Sequence, residues 1–202
     1  MTKHNALYMP LSELKILLIE DNLSMIQIYK NILTPFSVKH IIYATSVDEA
    51  KNLVETEKPD LIICDFILNG NDAYNNGLVF LKWIRQVEMA PLCFTPVLMA
   101  TGHASRRMVL EFAKYGASEV IVKPLSPAIL KQRLDSILAD ARPYIVEAGR
   151  VFIKGSFHYS APKKERKLVY DPEFLSRLVK NNNNPNEFRP DNPKIELLED
   201  DD

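Results

Sequence analysis

Four short apolar runs in this chain each hand over to residues that can do chemistry. Ile16-Leu17-Leu18-Ile19 leads into Glu20-Asp21, and Leu61-Ile62-Ile63-Cys64 into Asp65. Val97-Leu98-Met99 leads to Thr101-Gly102, and Val120-Ile121-Val122 into Lys123-Pro124. If the runs are neighbouring strands, three carboxylates, a hydroxyl and an ammonium converge on one edge of a sheet. Clustered carboxylates repel one another unless a cation lies among them. A small hard cation such as Mg2+ suits an all-oxygen site, with waters completing its octahedron. A metal, a lysine and a hydroxyl around one carboxylate neutralise the equatorial oxygens of a phosphoryl group, so the chemistry implied is phosphoryl transfer. Each residue alone has a plainer reading: acids ahead of a helix N-terminus, a strand-end cap, a β-favouring threonine, a surface lysine. The plain readings would all have to hold together at these spacings.

The elements that must position these residues are legible from periodicity. The four runs, together with Ile41-Ile42-Tyr43, are apolar on both faces, as buried parallel strands are. Between them apolar residues recur at three and four: Ile28, Tyr29, Ile32 and Leu33; Val47, Ala50, Leu53 and Val54; Leu81, Ile84 and Val87; Leu130, Leu134, Ile137 and Leu138. Ser46-Val47-Asp48-Glu49 reads as a capping box. Ser126-Pro127 reads as an N-cap followed by proline at the first helical position, and Gly116 as a helix stop. Five β–α pairs predict an α/β fold, a doubly wound five-stranded parallel sheet with its ligand site beyond the carboxyl ends of the strands.

Composition narrows the class. The chain has 202 residues, 47% of them apolar, which allows one domain with an appendage and excludes a wholly disordered chain. With 25 Lys and Arg against 26 Asp and Glu, binding to nucleic acid by bulk electrostatics is disfavoured. Cys64 and Cys93 are the only cysteines, too few for a disulfide framework or a cysteine-rich zinc site. No apolar run is long enough to span a bilayer, and the first residues do not read as a signal peptide, so a soluble cytoplasmic protein is expected.

These residues carry a family resemblance. Residues 13–140 resemble a bacterial two-component response-regulator receiver domain of the CheY-like, flavodoxin-like (βα)5 type. The match rests on Glu20-Asp21 after the first strand, Asp65 44 residues past Asp21, Thr101 after the fourth strand, and Lys123-Pro124 22 residues past Thr101. The resemblance implies that Asp65 is the nucleophile that takes a phosphoryl group from a phosphohistidine. It implies that Mg2+ is held by Glu20, Asp21, Asp65 and the backbone carbonyl of Ile67. Lys123 would pair with the phosphoryl oxygens, Thr101 would swing in to hydrogen-bond them, and Gly102 would leave room for the group to enter. The Lys123–Pro124 peptide would be cis. Cys64 should point away from Asp65 and serve packing, and His103 reads as a solvated loop histidine. The implied partners are a histidine kinase or histidine phosphotransfer protein and a downstream protein target, with a homodimer left open. The implied activity is that of a signalling switch and not of a metabolic enzyme.

Two features depart from the family. The loop at residues 66–76 is longer than usual, so that the comparable Gly77 comes twelve residues after Asp65. The family's switch aromatic, three residues before the lysine, is here Val120. The usual output switch is therefore in doubt, and the fourth helix, residues 105–115, or the C-terminal extension is the alternative route.

Residues 141–202 change character and read as a non-globular extension. Arg142-Pro143 breaks the last helix, residues 151–159 read as one or two strands around Gly155, and residues 171–180 read as a short helix. Residues 163–167 are basic. Net charge is three positive over residues 160–180 and five negative from Asn181 onward, so an acidic tail with disorder beyond about residue 180 is expected. Arg142-Pro143-Tyr144 and Tyr159-Ser160-Ala161-Pro162-Lys163-Lys164 faintly resemble the tails of some proteobacterial single-domain receivers. The prolines and the short length argue against a DNA-binding output domain. Three readings follow: a phosphorylated receiver acting through protein contacts, a non-phosphorylated scaffold, and a nucleic-acid-binding regulator using the basic segment.

Overall fold

The computed structural model describes residues 2–68, 76–103 and 105–155, together with two short strands at Phe157–Tyr159 and Leu168–Tyr170 that pair antiparallel. Five β–α pairs follow one another: β1 (Lys15–Ile19), α1 (Leu23–Leu33), β2 (His40–Ala44), α2 (Val47–Glu57), β3 (Leu61–Asp65), α3 (Gly77–Ile84), β4 (Val97–Thr101), α4 (Arg106–Lys114), β5 (Glu119–Val122) and α5 (Pro127–Leu138). The strands form one parallel sheet in the order β2-β1-β3-β4-β5. The predicted architecture is therefore observed. Strand order reverses between β1 and β3, and that switch point is where such sheets open a crevice.

The pleat divides the core. Alternate residues of a strand point to opposite faces. Leu17, Ile19, Ile62, Cys64, Met99 and Val120 pack under α2, α3 and α4, whereas Ile16, Leu18, Ile63, Leu98 and Ile121 pack under α1 and α5. β2 is an edge strand, so its apolar run is not buried on both faces, and Tyr43 stays 44% exposed. In α1 the buried stripe is Ile26, Tyr29, Ile32 and Leu33, and Ile28 faces solvent. Tyr29, Ile32 and Leu33 are buried as expected, and Ile26, about one turn before Tyr29, takes the place of Ile28. Val87 falls beyond the end of α3, in a 3-10 turn, and Phe80 takes its place in the core.

Helix caps agree with expectation in part. Ser46 accepts from the Glu49 amide, and the Glu49 carboxylate returns to the Thr45 amide and hydroxyl, one residue earlier than a strict capping box. Ser126 stands at the N-cap of α5 without a side-chain hydrogen bond, so Pro127 alone supplies the start signal. Gly116 takes the left-handed conformation expected of a helix stop, with φ of 85°.

The start of the extension is folded onto the domain. β6 (Tyr144–Glu147) and β7 (Arg150–Ile153) form an antiparallel hairpin turning at Ala148 and Gly149, both at positive φ. Strands do lie on both sides of Gly155, as expected of residues 151–159, but each pairs elsewhere: β7 with β6, and Phe157–Tyr159 with Leu168–Tyr170. Tyr144, Val151 and Ile153 build a third apolar cluster with Cys93. Arg85, fully buried, anchors it: its Nε donates to the Gly116 carbonyl at 2.9 Å, one terminal nitrogen donates to the Cys93 carbonyl at 2.9 Å, and the guanidinium lies over the Tyr144 ring. Residues 2–8 join the same end. The Tyr144 amide donates to Thr2, the Tyr8 amide donates to Leu138, and Ala6 is fully buried. Residues 160–167 and 171–202, with the expected helix, basic run and acidic tail, lie outside the described residues.

Candidate phosphoacceptor site

β1 and β3 run side by side with Ile19 opposite Cys64, so the next residues, Glu20 and Asp65, are neighbours across the strands. Their parity, with that of Lys123 just past β5, points all three side chains toward the α1 and α5 face. Glu20 is 2% exposed and its amide is held by the Ala44 carbonyl. Lys123 Nζ lies 2.6 Å from Glu20 Oε2 and 3.0 Å from Asp65 Oδ2. The Lys123 amide donates to the Thr101 carbonyl, and the Lys123–Pro124 peptide is cis. Asp21 completes the acidic group: Glu20, Asp21 and Asp65 each offer an oxygen within 4.8 Å of the others. Asn22 then caps α1, accepting from the Ser24 and Met25 amides, so the acids sit at that helix's N-terminus.

The electrostatics are those of a crowded anionic site. Burial, above all, raises the Glu20 carboxyl above its ordinary range, reinforced by Asp65 and opposed by Lys123. Burial likewise raises Asp65 against the charge and hydrogen bond of Lys123. Burial alone would lower the Lys123 ammonium, but the hydrogen bond to Glu20 and the charges of Asp65 and Glu20 outweigh it and leave its pKa raised. Three carboxylates thus gather around one ammonium. The donor set of hard oxygens fits Mg2+.

Thr101 is at the same edge but stands apart. β4 gives it the parity of Met99, toward α4, and its hydroxyl is donated to the His103 carbonyl at 2.8 Å, 3.6 Å from the Met108 sulfur. Gly102 and His103 are exposed, as is Ile67 on the loop after β3. Cys64 is buried in the opposite layer, where its Sγ contacts the Asp65 carbonyl oxygen at 3.3 Å. Val120, on β5, is buried in the layer that β4 and β5 share with α4 and cannot replace a rotating ring.

One feature was not anticipated, and a second, singled out by spacing, acquires its physical reason. Tyr29 of α1 is fully buried in the layer beneath Glu20 and Asp65, and its hydroxyl has no hydrogen-bond partner among the described residues. Burial and the charges of Glu20 and Asp65 hold its pKa far above the ordinary tyrosine value. Periodicity identifies Tyr29 as core but says nothing of its hydroxyl. The second feature is Gly77. Its amide donates to the Phe66 carbonyl at 2.9 Å, closing the loop of residues 66–76 at its base, of which residues 69–75 lie outside the described residues. A Cβ on Gly77 would lie 2.1 Å from the Asp65 carbonyl oxygen and 2.9 Å from Cys64 Sγ. Gly77→Ala is therefore expected to lower stability by about 1–3 kcal/mol, the usual cost of overpacking, and to slow phosphoryl acceptance by displacing Asp65. Thermal melts and acetyl phosphate labelling check both effects. Gly102→Ala, whose Cβ meets nothing within 4 Å, is the matched control and should melt as the wild type does.

Comparison with known proteins decides the family. Residues 16–135 match the family model of the response regulator receiver domain, more than half of the chain. The chain belongs to this family. Among curated relatives, it is 33% identical over 124 residues to chemotaxis protein CheY-3 of Vibrio cholerae, covering 61% of this chain and 91% of that one. To chemotaxis protein CheY of Pseudomonas aeruginosa it is 28% identical, covering 61% and 95%. Among solved structures, CheY4 of Vibrio cholerae matches with a TM-score of 0.54 at 28% identity, over 62% of this chain and 98% of that one. The activated receiver domain of Klebsiella pneumoniae RstA, at 24% identity over 62% and 99%, matches in fold alone with a TM-score of 0.53. As a receiver, this chain is a response regulator of two-component type, from a family that generally binds Mg2+ and interacts with histidine kinases or phosphotransfer proteins. No helix among the described residues is long and apolar enough to cross a membrane.

Proposed function

We propose that this receiver is a phosphoacceptor, charged on Asp65 by a phosphohistidine of a histidine kinase or phosphotransfer protein, and that its output is contact with another protein. The observation that carries the reading is the buried meeting of Asp65 and Lys123 beside Glu20 and Asp21. A Asp65 carboxylate oxygen attacks phosphorus. The O–P bond forms as the P–N bond of the phosphoimidazole breaks, and the electron pair returns to the ring nitrogen. Lys123 follows the charge onto the phosphoryl oxygens. Glu20, Asp21, Asp65 and the Ile67 carbonyl would hold Mg2+, which when bound offsets charge on the same oxygens.

Thr101 supplies the switch. To donate to a phosphoryl oxygen its hydroxyl must leave the His103 carbonyl, and the move draws on residues 101–103 and on Met108 at the start of α4. With Val120 in place of an aromatic, the path to the surface runs through α4. The two states exist before phosphorylation, which shifts their populations. The only chemistry is formation and hydrolysis of an acyl phosphate, so the protein is a signalling switch and not a metabolic catalyst.

Incubation with acetyl phosphate and Mg2+, followed by borohydride reduction and peptide mapping, tests this reading. Homoserine at position 65 is the expected product. An unmodified, folded protein would leave a non-phosphorylated scaffold as the function.

A further inference from the structure

The ring of Tyr115, one residue past α4, has three cations around it. Lys82 Nζ of α3 lies 4.2 Å from the ring centroid, Lys114 Nζ of α4 5.6 Å, and the Arg150 guanidinium of β7 5.8 Å. No salt bridge joins any of the three to a carboxylate among the described residues. Glu147 faces Arg150 across the hairpin and Glu111 lies one turn back on α4, yet neither pairs with these cations. An aromatic face offsets part of the repulsion between cations gathered on it. The remainder favours an anion, and a half-buried ring between cations gives an apolar neighbour to whatever anion binds. The arrangement depends on the hairpin, because Arg150 lies beyond the receiver match at residues 16–135.

The same chain carries a segment of complementary chemistry. In residues 196–202 five carboxylates, Glu196, Glu199, Asp200, Asp201 and Asp202, accompany Leu197 and Leu198. The stretch between Tyr170 and Glu196, beyond the paired strands, is long enough, at roughly 3.3 Å per residue, to reach any point on a domain of this size. We propose that the patch of Lys82, Lys114, Tyr115 and Arg150 is the docking site of this acidic segment of its own chain. The segment then bridges α3, α4 and the hairpin, at the opposite end of α4 from the helix start that Thr101 contacts. Docking there would hold α4 from its far end, and release would free the patch for an acidic partner.

The test compares the full-length protein with a full-length variant neutralised at the tail: Glu196→Gln, Glu199→Gln, Asp200→Asn, Asp201→Asn and Asp202→Asn. Amide resonances of Lys82, Lys114, Tyr115, Gly149 and Arg150 should differ between the two at low salt in dilute protein. The differences should vanish at about 1 M salt, where the screening length falls to about 3 Å. In the background of Lys82→Glu with Lys114→Glu, neutralising the tail should leave these resonances unmoved. Three results overturn the proposal: no differences at the patch, differences confined to the basic residues 163–167, or differences that appear only as protein concentration rises, which would assign the tail to a second copy.

Discussion

Asp65→Asn is expected to reduce phosphoryl incorporation from acetyl phosphate to background and, in metal-free protein at neutral pH, to raise the melting temperature. The first effect follows because the amide oxygen is a poor nucleophile toward phosphorus and the amide cannot form an acyl phosphate. The second follows from the site's electrostatics. Burial raises the Asp65 carboxyl most strongly, and the opposing attraction of Lys123 does not restore it. A carboxyl raised in the folded state binds its proton more tightly folded than unfolded. Its contribution to stability is full below the unfolded pKa and is lost as pH rises through the folded value. Ionised Asp65 therefore burdens the apo fold at neutral pH, and asparagine keeps the shape without the charge. Lys123 retains Glu20 at 2.6 Å in the variant. The gap in melting temperature between variant and wild type should be smallest in acid, open as pH rises through the raised carboxyl pKa, and then level off. A melt series in chelator checks this. A variant less stable than wild type throughout would mean that the pair with Lys123 outweighs desolvation.

The largest loss of stability is expected on breaking the ion pair between Arg133 and Glu119. Arg133 Nη1 lies 3.4 Å from Glu119 Oε2, the Ser136 hydroxyl donates to Glu119 Oε1 at 2.9 Å, and the two charged side chains are 0% and 1% exposed. Glu119→Ala leaves a guanidinium buried in the layer between β5 and α5 and should cost about 3–5 kcal/mol. Glu119→Leu combined with Arg133→Met removes both charges and keeps volume, and should come within about 1–2 kcal/mol of wild type, because desolvation of such a pair offsets most of its attraction. Urea denaturation of the single and double variants measures the difference. Lys123 lies just past the opposite end of β5 from Glu119, so the double variant should still accept phosphate, whereas the single variant should lose acceptance in step with its folded fraction.

The cost of the charged site and the tolerance elsewhere have one origin. The two carboxylates of Glu20 and Asp65 are kept together by strand register, and their repulsion is borne by the well-packed layers on both faces of the sheet. Function here is held against local stability, as is common where a site must gather like charge.

Much was determined by the sequence alone. Short continuous apolar runs and period-3.6 patterns are properties of the chain, so the five parallel strands, the helices between them and the strand-end residues Glu20, Asp21, Asp65, Thr101 and Lys123 were legible. Spacing even singled out Gly77, although only the structure gives the reason, a backbone carbonyl 2.1 Å from where its Cβ would be. The rest depended on which surfaces meet. Arg133 stands on the apolar stripe of α5 and Glu119 shares the parity of Ile121, yet neither position reveals that the two charges neutralise each other inside the core. Periodicity placed Tyr29, Ile32 and Leu33 on the buried side of α1 but could not tell that the sheet would cover Ile26 and leave Ile28 in solvent. The hairpin of residues 144–153 and the packing of residues 2–8 are held by Arg85, Tyr144 and Ala6 across gaps of many residues, and no local pattern encodes such contacts. That Thr101 faces α4 while Glu20, Asp65 and Lys123 face α1 and α5 was likewise settled by strand register, because parity becomes direction only once neighbouring strands are aligned.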